Sequence, residues 1–259
     1  MKKVILIFTI VASSTCLAQQ TNTHESDIMY KKEITRAIDL RENQNKPLFA
    51  RGHEVSRVLI EAVKSGLITP YASDSLNSKI SISQFTKTLE IPSTAAPVDT
   101  SYMDSLDLIE YRQKMRTYKP DSYTAKDLYQ MEIKEDILFD KQHSVMEYNI
   151  KTITLFIPAE HPDNIKGIQT PIASFSYTDY LKVFKDNPNA IWYNPQNDQA
   201  HLSLADAFDL RMFSSYIIKV SNPDDEYLMD IYGYGKNGII AAENMAMKIL
   251  EFESNLWEN

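Results

Sequence analysis

Residues 130–157 read QMEIKEDILFDKQHSVMEYNIKTITLFI, and the spacing of apolar side chains in this stretch sets the fold class. From Gln130 they recur at every second position. Met131, Ile133, Ile137 and Phe139 fall on one face while Glu132, Lys134 and Asp136 take the other, the period of a half-buried strand. Asp140 to Ser144 is a polar turn and Val145 to Ile157 alternates again, so the stretch predicts a long β-hairpin. In the second arm the apolar parity moves from even (Met146, Tyr148, Ile150) to odd (Ile153, Leu155, Ile157). One inserted residue near Lys151, a β-bulge, accounts for that switch.

Downstream of the hairpin, Ala159 to Thr170 reads as a loop and Pro171 to Phe175 as a short strand. A helix from Tyr177 to Lys185 follows, capped by Ser176, and then a helix from Leu204 to Met212 capped by Ser203. Ser215 to Val220 is a strand, Ser221 to Asp225 a turn, Tyr227 to Tyr232 a further strand, and Ile239 to Phe252 a C-terminal helix. Upstream, Ser26 or Asp27 caps a predicted helix with Tyr30, Ile34, Ile38 and Arg41 at spacings of three to four, running to about Glu42. A second helix from about Glu54 presents Val55, Leu59, Ala62 and Val63 on one face and ends at Gly66, so the two read as an antiparallel pair. Ser81 to Leu89 gives a short third helix, and Asp104 to Met115 is again helical in pattern.

Ile91 to Ser105, with Pro92, Pro97 and several Ser and Thr, has the composition of a linker. The expected organisation is a signal peptide at 1–18, an N-terminal helical region at 19–91, a linker at 92–105 and an α+β domain at 106–259. The fold class is α+β: an antiparallel sheet with a long hairpin, packed by helices, plus the N-terminal helical region.

The signal peptide rests on Met1, Lys2 and Lys3 as a positive start, an apolar run from Val4 to Ala12, and Cys16-Leu17-Ala18 before a cut between Ala18 and Gln19. That apolar run is too short to span a membrane, which takes about 20 residues. Ser13-Ser14-Thr15 ahead of Cys16 argues against a lipid-acceptor cysteine. The 259 residues are 43% apolar, 10% aromatic and 24% charged, which excludes collagen-like, mucin-like and wholly disordered chains. Lys and Arg number 27 against 35 Asp and Glu, a formal charge of −8 that provides no attraction to nucleic acid or anionic lipid. Cleavage after Ala18 removes Lys2 and Lys3, leaving 25 basic against 35 acidic side chains, or −10, and takes away the one cysteine. The exported chain is then without disulfides or a thiolate nucleophile, and its stability rests on burial and partners.

Motifs for chemistry are sparse. Gly233 to Gly238 satisfies G-x-G-x-x-G after a predicted strand and before a predicted helix, but a dinucleotide site needs a second parallel strand after that helix and an acidic residue beyond it, and only 21 residues remain, most of them in the helix. A flexible turn is the reading that fits. His24, His53, His143, His161 and His201 are too dispersed for a metal motif, and His53-Glu54 is not followed by a second histidine, so neither metal nor cofactor is expected. Glu135, Asp136, Asp140 and His143 gather around the hairpin, where an acid/base pair would be possible, although alternating charges facing solvent are the simpler reading. Trp192 and Tyr193 lie in a turn-rich loop, and Phe213 and Tyr216 join a helix to a strand. Together with Tyr234 these are the candidate partner contacts, and aromatics so placed either plug the core or anchor a partner.

Several stretches closely resemble the gliding-motility protein family GldN, whose counterpart in non-gliding bacteria is PorN. They are Ser26-Asp27-Ile28 through Ile38-Asp39-Leu40-Arg41-Glu42, Lys46-Pro47-Leu48, Lys134-Glu135-Asp136 with Phe139-Asp140-Lys141, Phe213 through Asn222, and Leu250-Glu251-Phe252-Glu253 to Trp257. The resemblance covers nearly the whole mature chain in order. It departs at Ile137-Leu138, where an aromatic is common, and at Met29-Tyr30, where a tryptophan is expected; both are core exchanges. What the resemblance implies is a non-enzymatic periplasmic subunit of the type IX secretion and gliding motility machinery. It would form an outer-membrane-associated ring with the lipoprotein GldK/PorK, self-associate within that ring, and couple to the GldL/GldM motor through the periplasmic part of GldM/PorM. The family transfers no catalytic residue. A periplasmic hydrolase or small-ligand-binding protein is the alternative, and it predicts a deep pocket gathering Glu135, Asp136 or His143.

Overall fold

A computed structural model describes residues 24–92 and 121–257. The expected cleavage site at Ala18 and Gln19, the helix at Asp104 to Met115 and nearly all of the linker lie outside the described residues. The first strand, β1, spans Ile28–Asp39. Helices α1 (Val55–Lys64) and α2 (Ile82–Thr88) follow, and then the hairpin of β2 (Gln130–Asp140) and β3 (Val145–Ile157). The chain continues through β4 (Thr170–Ser176), helix α3 (Tyr177–Asp186), β5 (Ile191–Trp192), β6 (Leu202–Ser203) and helix α4 (Leu204–Asp209). It ends with β7 (Tyr216–Val220), helix α5 (Leu228–Tyr232) and helix α6 (Lys236–Trp257). The sheet is antiparallel, five-stranded, in the order β4-β3-β2-β1-β7, and β5 pairs with β6 in a small separate ladder.

The hairpin follows the sequence closely. Gln130 pairs with Phe156 at its base and Asp140 with Val145 at its tip. The register shifts between Lys134, opposite Thr152, and Glu135, opposite Ile150, so Lys151 is the extra residue that turns the apolar parity. Paired residues in antiparallel strands share a face. One face therefore carries Met131, Ile133, Ile137 and Phe139 together with Ile38 and Ile34 of β1 and Ile153, Leu155 and Met146 of β3.

That face is covered in two halves. Toward the base of the hairpin, Ile38, Met131, Ile133, Ile153 and Leu155 join the apolar sides of α1 to α4 in the larger core, with Phe85, Phe175, Tyr180, Phe184 and Phe208 fully buried in it. Toward the tip, Ile34, Ile137, Phe139, Met146, Ile217 and Val220 pack against Leu228 of α5 and Ala242 and Ile249 of α6. Local signals hold the covering helices in place. Ser81 and Gln84 form a reciprocal capping box on α2, Gly66 follows α1 at φ +74°, and Ser203 accepts the Asp206 N–H to cap α4.

Two predicted elements are corrected. Ser26 to Glu42 is mostly strand and not helix, so the expected antiparallel helix pair does not form. A spacing of four, as in Tyr30, Ile34 and Ile38, satisfies both a helical and an alternating period. The β-branched Ile28, Ile34, Thr35 and Ile38 favour the strand, and pairing to β2 on one side and β7 on the other decides it. Tyr227 to Tyr232 is likewise a one-turn helix and not a strand. Gly233 terminates it at φ +96° and ψ 156°, a backbone open only to glycine, and donates its N–H to the Met229 carbonyl.

Candidate interaction surface

The hairpin acids Glu135, Asp136 and Asp140 are buried, whereas the simpler sequence reading expects alternating charges facing solvent. Glu135 has the parity of Met131 and Ile133, points to the covered face and is fully buried at the seam between the two cores. Arg36 Nε lies 2.5 Å from its Oε1 and Arg211 Nη1 2.7 Å from its Oε2, and Arg211 also lies over the Tyr148 ring at 5.1 Å. Asp136 points to the opposite face, where Lys31 at 3.1 Å and Lys151 at 2.8 Å cover it. Asp140 is buried under the turn and accepts the N–H groups of Gln142 and His143 at 2.7 and 3.3 Å, with His143 Nδ1 2.6 Å away. Glu135, Asp136 and His143 thus occupy three places, and none of them lines either of the two cavities found among the described residues. Among the described residues, no three His, Cys, Asp or Glu side chains meet in a metal-binding group.

The glycine turn joins helix to helix. A Cβ on Gly238 would sit 2.8 Å from Met229 Cγ and 3.1 Å from the Gly233 carbonyl oxygen, so this glycine serves the close packing of α5 on α6. Of the aromatic candidates, Trp192 is buried in the larger core, and Tyr193 lies at its border between the rings of His53 and His201. Phe213 is part-buried against Phe208. Tyr216 and Tyr234 are exposed, and both line the groove on the open side of the sheet.

That groove, with a volume of about 700 Å³, is the feature that sequence reading misses. Its floor is a cross-strand row built from Ser174, Thr154, Glu132, Ala37 and Tyr216, one residue from each strand of the sheet. Short side chains on both sides of Glu132 create the depth, and Thr154 is further tied down by a 2.8 Å hydrogen bond to Ser174. One wall is the loop of Ala72, Ser73 and Asp74, held along β4 by the pairing of Tyr71 with Ser174. The other carries Tyr227 and Tyr234. Alternation already places Glu132 on the polar face. The small neighbours become visible only once β1 and β3 are paired with β2.

The cations near the groove are committed to other partners. Lys134 Nζ is 2.8 Å from Glu33 and 3.0 Å from Asp74, and Lys219 Nζ is 2.6 Å from Asp225. Glu132 has no hydrogen bond or ion pair among the described residues. Burial, reinforced by the charge of Asp74 and only partly offset by Lys219, pushes its carboxyl up to about 7.

A second surface is the outward side of α6. Ala241, Ala242 and Ile249 point inward, yet Ile239, Ile240, Met247 and Leu250 are exposed and fall within about a third of the helix circumference at 100° per residue. No helix among the described residues is long and apolar enough to cross a membrane.

A family model described as Gliding motility associated protein GldN matches residues 23–258. No curated protein matches the chain.

Proposed function

We propose, from the premise that this chain belongs to the gliding-motility-associated GldN family, that it is a non-enzymatic periplasmic subunit of the type IX secretion and gliding machinery. In this reading it assembles with the lipoprotein GldK/PorK into an outer-membrane-associated ring, self-associating within that ring. The periplasmic part of GldM/PorM then couples the ring to the GldL/GldM motor. The observation that carries the reading is the extent of the family match, which takes in every described element. The uses found for the hairpin acids support it: Glu135, Asp136 and Asp140 are engaged in ion pairs and a turn and do not gather with His143 into the deep pocket that the hydrolase alternative predicts. The exposed apolar stripe of α6 supplies a surface for assembly contacts, which head-to-tail rings require.

The test is to express residues 19–259 with and without the GldK/PorK lipoprotein and to weigh the products by light scattering. A very large co-complex is expected, reduced when Ile240 and Met247 are changed to Asp on the α6 stripe. A monomer indifferent to the lipoprotein overturns the reading.

A further inference from the structure

The open face of the sheet is walled on two sides, and its floor is acidic. Besides Glu132, the groove is lined by Asp39, Asp74, Asp225 and Asp230, against Lys134 and Lys219 as its bases. Most of these charges are internally matched. Asp39 holds Arg41 at 2.7 Å, Asp74 holds Lys134, Asp225 holds Lys219, and Asp230 accepts the Tyr234 hydroxyl at 2.6 Å. Among the described residues Glu132, at the middle of the floor, has no hydrogen bond or ion pair, and Lys219 acts on it only at longer range. Around it stand the exposed rings of Tyr216, Tyr227 and Tyr234, and Lys219 already lies 5.2 Å from the Tyr227 centroid, so that ring takes a cation within this fold.

We propose that this groove is the docking site for a basic, extended segment of a partner protein, with an arginine or lysine side chain of that segment paired to Glu132 between the tyrosine walls. Charge complementarity names the occupant. A carboxylate on a confined floor with no cation of its own is satisfied by an incoming guanidinium or ammonium, and aromatic walls favour those groups over a neutral side chain. An acidic or phosphorylated segment would meet repulsion from Glu132 and from Asp74 beside it. The volume of about 700 Å³ suits a short peptide stretch. The elevated titration of Glu132 agrees with an acid held ready for a partner. The inference goes beyond the ring-assembly reading and holds whichever protein supplies the segment.

The test uses the chain from residue 19 to 259 and a short fluorescein-labelled peptide of alternating serine and arginine, with glutamine and glutamate counterparts, read by fluorescence anisotropy. The arginine peptide is expected to bind and the other two not to. Glu132→Gln should weaken it at least about tenfold, the scale of a lost charge-assisted contact. Because Glu132 has no hydrogen bond or ion pair to lose among the described residues, this variant keeps its fold, which circular dichroism verifies. Glu61→Gln, which removes the same charge from the exposed side of α1, controls for general attraction to an acidic protein and should leave binding unchanged. Equal binding by wild type and Glu132→Gln, or equal loss in both variants, overturns the proposal. So does self-association of the wild type that Glu132→Gln abolishes, which would give the groove to a second copy of the chain.

Discussion

Glu132 and Trp192 show how a single side chain is read from its surroundings. The Glu132 carboxyl titrates near 7 in the folded chain, against an ordinary value of 4.5. As pH rises from 4.5 the unfolded chain gives up its proton first, so the folded state binds more protons over that interval and stability falls until about pH 7. The loss is of the order of 2 kcal/mol after allowance for solvent screening of a part-buried group. Glu132→Gln is therefore expected to match the wild type near pH 4 and to be the more stable of the two above pH 7, in urea titrations across that range; parallel curves would contradict it. Trp192 sits in the larger core with 6% of its surface exposed. Trp192→Ala should lower stability by about 3–5 kcal/mol, and a melting temperature left in place would show that the ring does not fill the core. Turn residues around Trp192 gave the sequence no means to separate a plug from an anchor. For Glu135 the signal was present: an odd position in an odd-faced strand points inward, and only the arginines that neutralise it, Arg36 and Arg211, were out of sight.

At the level of elements, the hairpin was legible down to its irregularity, since a one-residue bulge changes the parity of every later side chain and leaves that trace at Lys151. β1 was not legible, because its spacing of four fits either period and its neighbours in the sheet lie far away in sequence. The one-turn α5 was missed for a different reason: its short run of apolar and aromatic residues, broken only by Asp230, imitates a buried strand, while β7, beside it, is already the sheet edge. The hairpin turn carries its own pH signature. Its hydrogen bond to Asp140 raises the His143 titration above 6.5, and the same bond, with the Gln142 and His143 N–H groups, lowers Asp140 below 3.8. The Asp140 contribution is present above 3.8 and lost as pH falls through its lower folded value. That of His143 is complete below 6.5 and lost as pH climbs through its higher folded value. The charged pair therefore holds the turn between those limits. Proton NMR of the His143 ring should give a midpoint above 6.5 that returns toward 6.5 in Asp140→Asn, and an identical midpoint in both proteins would remove the pair from the account.

Across the whole molecule, one side of the sheet is closed by helices from both halves of the chain and the other carries ion pairs and the groove. The antiparallel α+β class followed from turn and strand patterns. The groove did not, being a product of which short side chains line up across five strands. The strand order has a further consequence, concerning time. β1 is the first strand in the chain, yet β7, the neighbour on its outer side, is the last, and Tyr30 near the start of β1 rests 4.5 Å from Phe252 near the end of α6. A nascent chain thus presents a twelve-residue strand whose outer edge finds its own partner only when the last portion arrives. During that interval the edge is a template for any stray strand, so refolding of the full chain is expected to lose more material to aggregation as protein concentration rises than a chain with sequence-adjacent edge strands.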